Sequence, residues 1–279
     1  MKRIVSIQDI SCIGKCSLTV ALPVISAAGF ETAIIPTAVL STHSAFQSEF
    51  TFYDLTSQIG PISKHWKEEK FEFDAIYTGY LGSFDQIELV KKFFDDFKRP
   101  DTKIVVDPVM GDAGELYKGF TPKFAKEMAT VCAKADVAIP NLTEACFMLE
   151  EEYIGEGYSR EYIENILRKL AALGPKYVAL TGMSFEEDKL GVVCYDKEND
   201  RFFEYYNEKI PVRYHGTGDV FTSSFLGAFM NDMTVEDSFK IAVEFTFEAI
   251  MKTVEDKDGN WYGVNFEEAL PKYMELLGK

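Results

Sequence analysis

The sequence of 279 residues has little cysteine, little histidine and a shortage of positive charge. Its five thiols, Cys12, Cys16, Cys132, Cys146 and Cys194, are odd in number and scattered. A secreted disulfide scaffold packs its cysteines more densely into a shorter chain, so free thiols and a cytoplasmic setting are expected. The three histidines, His43, His65 and His215, include no pair at the spacing of a zinc-binding helix. Cys12 and Cys16 lack a second ligand pair, so zinc is not expected either. Lys and Arg number 29 against 45 Asp and Glu, a formal net charge of −16. Nucleic acid and anionic lipid both select basic surfaces, so neither is an expected partner. No apolar run approaches the ~18 residues that would span a bilayer. The N-terminus carries no signal-like apolar run before Gln8 and Asp9. There is no Gly/Ser/Pro linker, no low-complexity tract and no internal repeat. With 47% hydrophobic and 27% charged residues, residues 1–279 are expected to fold as one domain around a substantial core.

What is present is an alternation of short apolar runs and amphipathic ones. Residues 4–7, 33–35, 74–78, 103–107, 136–139 and 177–181 read as buried strands. A polar, Gly-containing turn is expected after the first, and Pro36 is expected to end the second. Helical patterns cover 17–28, 54–69, 85–97, 122–134, 142–150 and 160–173, with three more at 217–230, 235–254 and 266–277. Ser17 is expected to cap the first of these, Gly29 to end it in the left-handed conformation, and Pro23 to kink it or mark its first turn. Residues 190–206 differ and read as two strands around a polar turn. Serial β-α units imply an α/β fold: a mostly parallel sheet with helices on both faces and an antiparallel hairpin at one edge. Ligands bind such sheets beyond the carboxyl ends of the strands, so chemistry is sought there.

One motif there misleads. Gly14-Lys15-Cys16-Ser17 suggests a phosphate-binding P-loop, but that loop needs a Gly five residues before Gly14. Asp9 stands there, and Cys16 occupies the position of the Mg²⁺-binding Ser or Thr. The P-loop is therefore rejected. His215-Gly216-Thr217-Gly218-Asp219 is a stronger signal, because it opens a helix. Glycines let the backbone turn tightly, and free N–H groups at a helix N-terminus bind anions. Asp219 there is either a general base for a hydroxyl attacking a phosphate or an acidic residue matched to the helix dipole. Asp107-Pro108-Val109-Met110-Gly111-Asp112 sends two carboxylates off the end of a strand. They suit Mg²⁺ carried by nucleotide phosphates, or a simple strand-end turn. Pro140-Asn141-Leu142-Thr143-Glu144 reads as a capping box, with Asn141 as N-cap and Glu144 three residues on. Phosphate or metal-water contacts by the same two residues are compatible with that.

Taken in order, Asp-Pro-Val-Met-Gly-Asp, Pro-Asn-Leu-Thr-Glu-Ala and a late Gly-Thr-Gly-Asp resemble the ribokinase-like superfamily. Within it they are similar to the vitamin B6 kinases, as are Thr78-Gly79-Tyr80-Leu81-Gly82-Ser83 and Ser41-Thr42-His43-Ser44. The likeness runs from Ile4 to about Ala249. It implies a three-layer α/β/α fold, a homodimer, and ATP-dependent phosphorylation of the 5′-hydroxymethyl of pyridoxal, pyridoxine or pyridoxamine. It implies Mg²⁺ with the ATP, and a monovalent cation is a further candidate. By matching positions, Asp219 would be the catalytic base, and Gly216, Thr217 and Gly218 the anion hole. Asp107 and Glu144 would serve the metal, and Asp112, Asn141, Thr181 and Gly182 the nucleotide. His43, Ser44 and Tyr80 would border the pyridine ring. One departure stands out: B6 kinases commonly have Ser after the Ile-Gln of the first strand, and this chain has Asp9. Asp9 is therefore also a candidate substrate contact, suited to a protonated ring nitrogen or an amine. Hydroxymethylpyrimidine kinases share two of the motifs, but many carry Cys where this chain has Asp219. A sugar kinase and a non-catalytic carrier of B6 or nucleotide rank lower.

Overall fold

A computed structural model describes residues 1–46 and 48–279. Its centre is a nine-stranded sheet. In chain order the strands are β1 (Arg3–Ile13), β2 (Glu31–Thr42), β3 (Phe52–Asp54), β4 (Ala75–Thr78), β5 (Lys103–Val106), β8 (Val137–Ala138), β9 (Tyr177–Met183), β10 (Lys189–Asp196) and β11 (Arg201–Glu208). Two short strands, β6 (Gly111–Asp112) and β7 (Glu115–Leu116), form a separate ribbon. Across the sheet the order is β11-β10-β9-β8-β5-β4-β1-β2-β3. The six strands from β9 to β2 are mutually parallel. The hairpin β10–β11 is antiparallel at one edge, as expected.

Helices cover both faces. Against one lie α2 (Thr56–Glu68), α3 (Phe84–Phe97), α4 (Pro122–Cys132), α5 (Leu142–Leu149) and α6 (Arg160–Leu173). Against the other lie α1 (Leu18–Ala27), α7 (Thr217–Met230), α8 (Val235–Glu255) and α9 (Phe266–Leu276). Strand residues alternate between the two layers, as a period of two requires. Val5, Ile7, Ile76 and Ile104 face the first core. Ile4, Ala75, Tyr77 and Val105 face the second. The result is the three-layer α/β/α arrangement.

Several expectations about the strands need correction. β1 does not turn after Ile7; it runs on to Ile13. Pro36 does not end β2, which continues to Thr42. Both extensions have one cause. The parallel register slips between Gln8 and Ile10, which pair with Pro36 and Val39 respectively. A proline, lacking an N–H, is tolerated at such an irregularity, and pairing resumes beyond it. The two strands therefore project past the sheet as a ribbon. The opposite edge is also antiparallel, because β3 pairs back onto β2. Pro23 sits inside α1 without ending it. Gly29, just past that helix, takes the left-handed conformation assigned to it, with φ +96°. No described helix is long and apolar enough to cross a membrane.

Candidate active site

The carboxyl ends of β1, β4 and β5 meet the N-termini of α1, α5 and α7, and the predicted residues gather there. Asp107 follows β5 and is only 6% exposed. Its Oδ2 accepts a 2.9 Å hydrogen bond from Thr222 Oγ1 on α7. A Cβ placed on Gly218 would lie 3.9 Å from the same oxygen, so the α7 loop lies directly against Asp107.

Glu144 is 3% exposed. Its Oε1 accepts from the Met110 N–H at 3.1 Å and its Oε2 from the Asn141 N–H at 2.9 Å. Asn141 Oδ1 accepts in turn from the Glu144 N–H at 3.0 Å, closing the predicted capping box. Asn141 Nδ2 donates to the Gly111 carbonyl at 2.8 Å. The box thus clamps the loop after β5 onto α5. Burial, reinforced by the facing Asp107 charge, pushes the Glu144 carboxyl well above the ordinary range. Burial and the Asp219 charge push Asp107 up as well.

The loop before α7 is bound to its glycines. Gly216 has φ +77°, and a Cβ there would fall 1.8 Å from the Lys15 carbonyl oxygen. No side chain at this position fits. Gly216 is also the N-cap of α7 and offers no side-chain cap, so the first-turn N–H groups remain free for an anion. By contrast α3, α4, α5, α6 and α8 are each capped by a side chain. α1 opens in the same uncapped way, behind Ser17 at φ +50°. Ser17 was expected to cap α1; its left-handed backbone turns the side chain away from that task. Asp219 stands half-buried in the first turn of α7. Burial pushes its pKa up to about 7, the Ser17 N–H pulls it down, and the Asp9 charge raises it.

The remaining predicted residues divide. Tyr80 is half-buried, its ring 5.6 Å from that of Phe120. Burial and the charges of Asp9 and Asp54 push its phenol up to about 12. Asp9 is 6% exposed, at the register slip in β1. Thr181 bridges to Asn141. Gly182 has φ +72° and open space where a side chain would stand. Asp112 is exposed, with Oδ1 accepting from the Ala113 N–H at 2.8 Å. Ser44 is exposed in the loop after β2. His43 is buried and fully engaged: its Nε2 reaches the Tyr262 carbonyl at 2.9 Å and its Nδ1 accepts from the Ala45 N–H at 3.2 Å. It can meet a substrate only with its ring edge. The Lys15 of the rejected P-loop is tied to Asn265 Oδ1 and Glu267 Oε2, both at 2.9 Å, away from any phosphate role.

Sequence reasoning passed over four neighbours. Thr222 fixes Asp107. Tyr117, just past the β6–β7 ribbon, feels the charges of Glu144, Asp112, Asp107 and Asp219. Trp261 and Phe46 pack on His43, with centroids 6.0 and 5.0 Å away. Only Thr222 carried a signal, one helical turn after Gly218 on the same face.

The chain matches the phosphomethylpyrimidine kinase family model over residues 62–262. The chain belongs to this family. Among solved structures, a protein of Bacteroides thetaiotaomicron described as a phosphomethylpyrimidine kinase is 38% identical to this family member. The two superpose with a TM-score of 0.93 over 97% of this chain and 93% of that one. The same Bacteroides protein has also been solved with pyridoxal. Pyridoxal kinase from Lactobacillus plantarum is 26% identical with a TM-score of 0.91, over 99% and 98% of the two chains. These likenesses place the family member in the ribokinase-like fold. Among curated relatives, a pyridoxal kinase-like protein of Schizosaccharomyces pombe is 25% identical, covering 99% of this chain and 92% of its own. The chain spans only 34% of a bifunctional thiamine-biosynthetic enzyme of Arabidopsis thaliana, at 27% identity over 64% of its own length.

Proposed function

We propose that the chain transfers the γ-phosphoryl group of ATP to the 5′-hydroxymethyl of a B6 vitamer: pyridoxal, pyridoxine or pyridoxamine. One observation carries the reading: a carboxylate held near neutral pKa stands in the first turn of an uncapped helix. Asp219 is a base poised to take the hydroxyl proton at pH 7. As the hydroxyl oxygen bonds to the γ-phosphorus, the bond to the β–γ bridging oxygen breaks and ADP leaves. The free N–H groups at Gly216, Thr217 and Gly218 face the charge on the transferring group at no cost of reorganisation. Phosphoryl transfer gains most from such positioning and electrostatics.

Mg²⁺ fits the donors present. Asp107 and Glu144 are buried carboxylates whose charges oppose each other. No group of three His, Cys, Asp or Glu side chains among the described residues could hold a metal alone. Two carboxylates complete a Mg²⁺ shell only together with substrate phosphates and water. In that site Asp107 and Glu144 would hold the ion, which supplies positive charge to the phosphates. Asn141, Asp112, Thr181 and Gly182 would border the nucleotide, with Gly182 leaving room for it. Tyr80, His43 and Ser44 would border the ring. A monovalent cation, a homodimer and a cytoplasmic location belong to the same reading.

The second reading is phosphorylation of hydroxymethylpyrimidine. The family's description and the Bacteroides relative's favour it; Asp219, where many of that branch carry Cys, weighs against it. ADP release measured with each B6 vitamer and with hydroxymethylpyrimidine separates the two. We expect turnover with a vitamer; turnover with hydroxymethylpyrimidine alone refutes the first reading. Release with none of the four refutes both.

A further inference from the structure

The cleft is rich in carboxylates. Asp9, Asp107, Asp112, Glu144 and Asp219 all line it or face it. None of them takes part in an ion pair among the described residues. Lys15, the nearest lysine in sequence, is held by Asn265 and Glu267. Both nitrogens of His43 are committed to backbone groups. A bound ligand can supply the balancing charge to the buried ones. Asp107 and Glu144 have a candidate in the nucleotide's metal ion. Asp9 has none.

Asp9 is nevertheless placed for a ligand. It is 94% covered, and it lies at the register slip where β1 and β2 leave the sheet. Such an irregularity is where a side chain can leave the regular alternation of the strand. Burial pushes its carboxyl up, while the Ser17 side chain favours its charged form and Ser11 Oγ donates to its Oδ2 over a long 3.4 Å. That leaves acceptor capacity on both oxygens. Its charge raises the pKa of Asp219, Tyr80 and Cys16, so it lies near all three. A covered carboxylate without a cation is costly unless something pairs with it.

We propose that Asp9 selects substrates bearing an amino or ammonium group on the ring carbon next to the hydroxymethyl, so that pyridoxamine is preferred to pyridoxine and pyridoxal. The proposal rests on the kinase reading above. In pyridoxamine that group is a primary ammonium, which donates a charge-assisted hydrogen bond to a carboxylate. The alcohol of pyridoxine and the aldehyde of pyridoxal bring no charge at that position, and a protonated ring nitrogen, common to all three vitamers, does not distinguish them. Hydroxymethylpyrimidine presents an amino group at the same position, so it shares the chemistry from a different source. Asp9 is thus a specificity residue, distinct from the base.

The test compares kcat/KM for pyridoxamine, pyridoxine, pyridoxal and hydroxymethylpyrimidine in the wild type, Asp9→Asn and Asp9→Ser. Binding of pyridoxamine and pyridoxine without nucleotide is measured by fluorescence, and thermal unfolding reports folding. We expect wild type to favour an amine-bearing substrate over pyridoxine by about tenfold or more. Asp9→Ser should remove that preference, chiefly by raising KM and Kd for the amine-bearing substrates. Whether pyridoxamine or hydroxymethylpyrimidine is the better amine names the source. If Asp9→Asn unfolds, Asp9→Glu replaces it and should retain the amine preference. Good turnover of pyridoxine and pyridoxal with the same ranking in wild type and variants overturns the role of Asp9 and leaves the kinase reading standing. No turnover of any of the four overturns both.

Discussion

Asp219→Asn isolates the base from everything around it. Asn has nearly the same shape, keeps an acceptor for the Ser17 N–H and leaves Gly216, Thr217 and Gly218 in place, so the anion hole survives. What is lost is proton acceptance, typically worth ~10²–10⁴ in rate. A pKa of about 7 sets the rest of the expectation. The active form is the deprotonated one, so kcat/KM rises with pH and levels off above 7. At pH 6 only about a tenth of the carboxyl groups are ionised, and the rate falls about tenfold from its plateau. The assay is ADP release coupled to NADH oxidation, run from pH 5.5 to 9 with the preferred alcohol. Wild type should show the acid limb near 7. Asp219→Asn should lose at least about a hundredfold in kcat, lose that limb, and keep its KM for ATP within about threefold. A variant within tenfold of wild-type kcat, or one that keeps the limb near 7, would refute the assignment.

Other perturbations bear on the same site. Asp107 has a folded pKa above its unfolded one, so its contribution to stability is present at low pH and is lost as pH rises past the unfolded value. Asp107→Asn keeps an acceptor for Thr222 and should therefore be more stable than wild type at pH 8, by about 1–3 kcal/mol. The gain should vanish toward pH 4 while activity falls at every pH; urea unfolding at the two pH values checks it. Gly216→Ala puts a methyl into the Lys15 carbonyl at positive φ and should cost ~2–4 kcal/mol of stability, read by the same method. Lys15→Ala removes the tie to Asn265 and Glu267 and should lower Tm, with the KM for ATP changed by less than about threefold. A collapse of ATP affinity in that variant would return Lys15 to a phosphate role.

The architecture was largely readable because alternating strand and helix patterns dictate layers, and residues just past strand ends dictate where chemistry sits. Asp107, Glu144 and Asp219 became candidates for that reason. The path of β1 and β2 beyond the sheet was not. Pro36 normally ends a parallel strand, and only a register slip against Gln8 and Ile10 lets pairing resume. Local sequence holds no signal for a slip that depends on two strands together. The engagement of His43 was equally hidden, since its partner carbonyl belongs to Tyr262, 219 residues away. Ser17 illustrates a third kind of failure. A good capping residue type does not cap when its backbone is turned left-handed.

The capping box at Asn141 and Glu144 has a consequence for how the chain tolerates sequence change. Glu144 accepts two backbone N–H groups that start α5 and fix the loop after β5, and the same side chain faces Asp107 across the cleft. A single residue thus serves both the birth of a helix and the charge balance of the cleft. Asp is too short to reach both N–H groups, Ala abandons them, and Gln, whose amide nitrogen donates, accepts from only one of the two. Mutational scans at this position will record loss of folding and loss of chemistry as one phenotype. No common substitution keeps both backbone contacts and the charge, which leaves position 144 with almost no neutral neighbours.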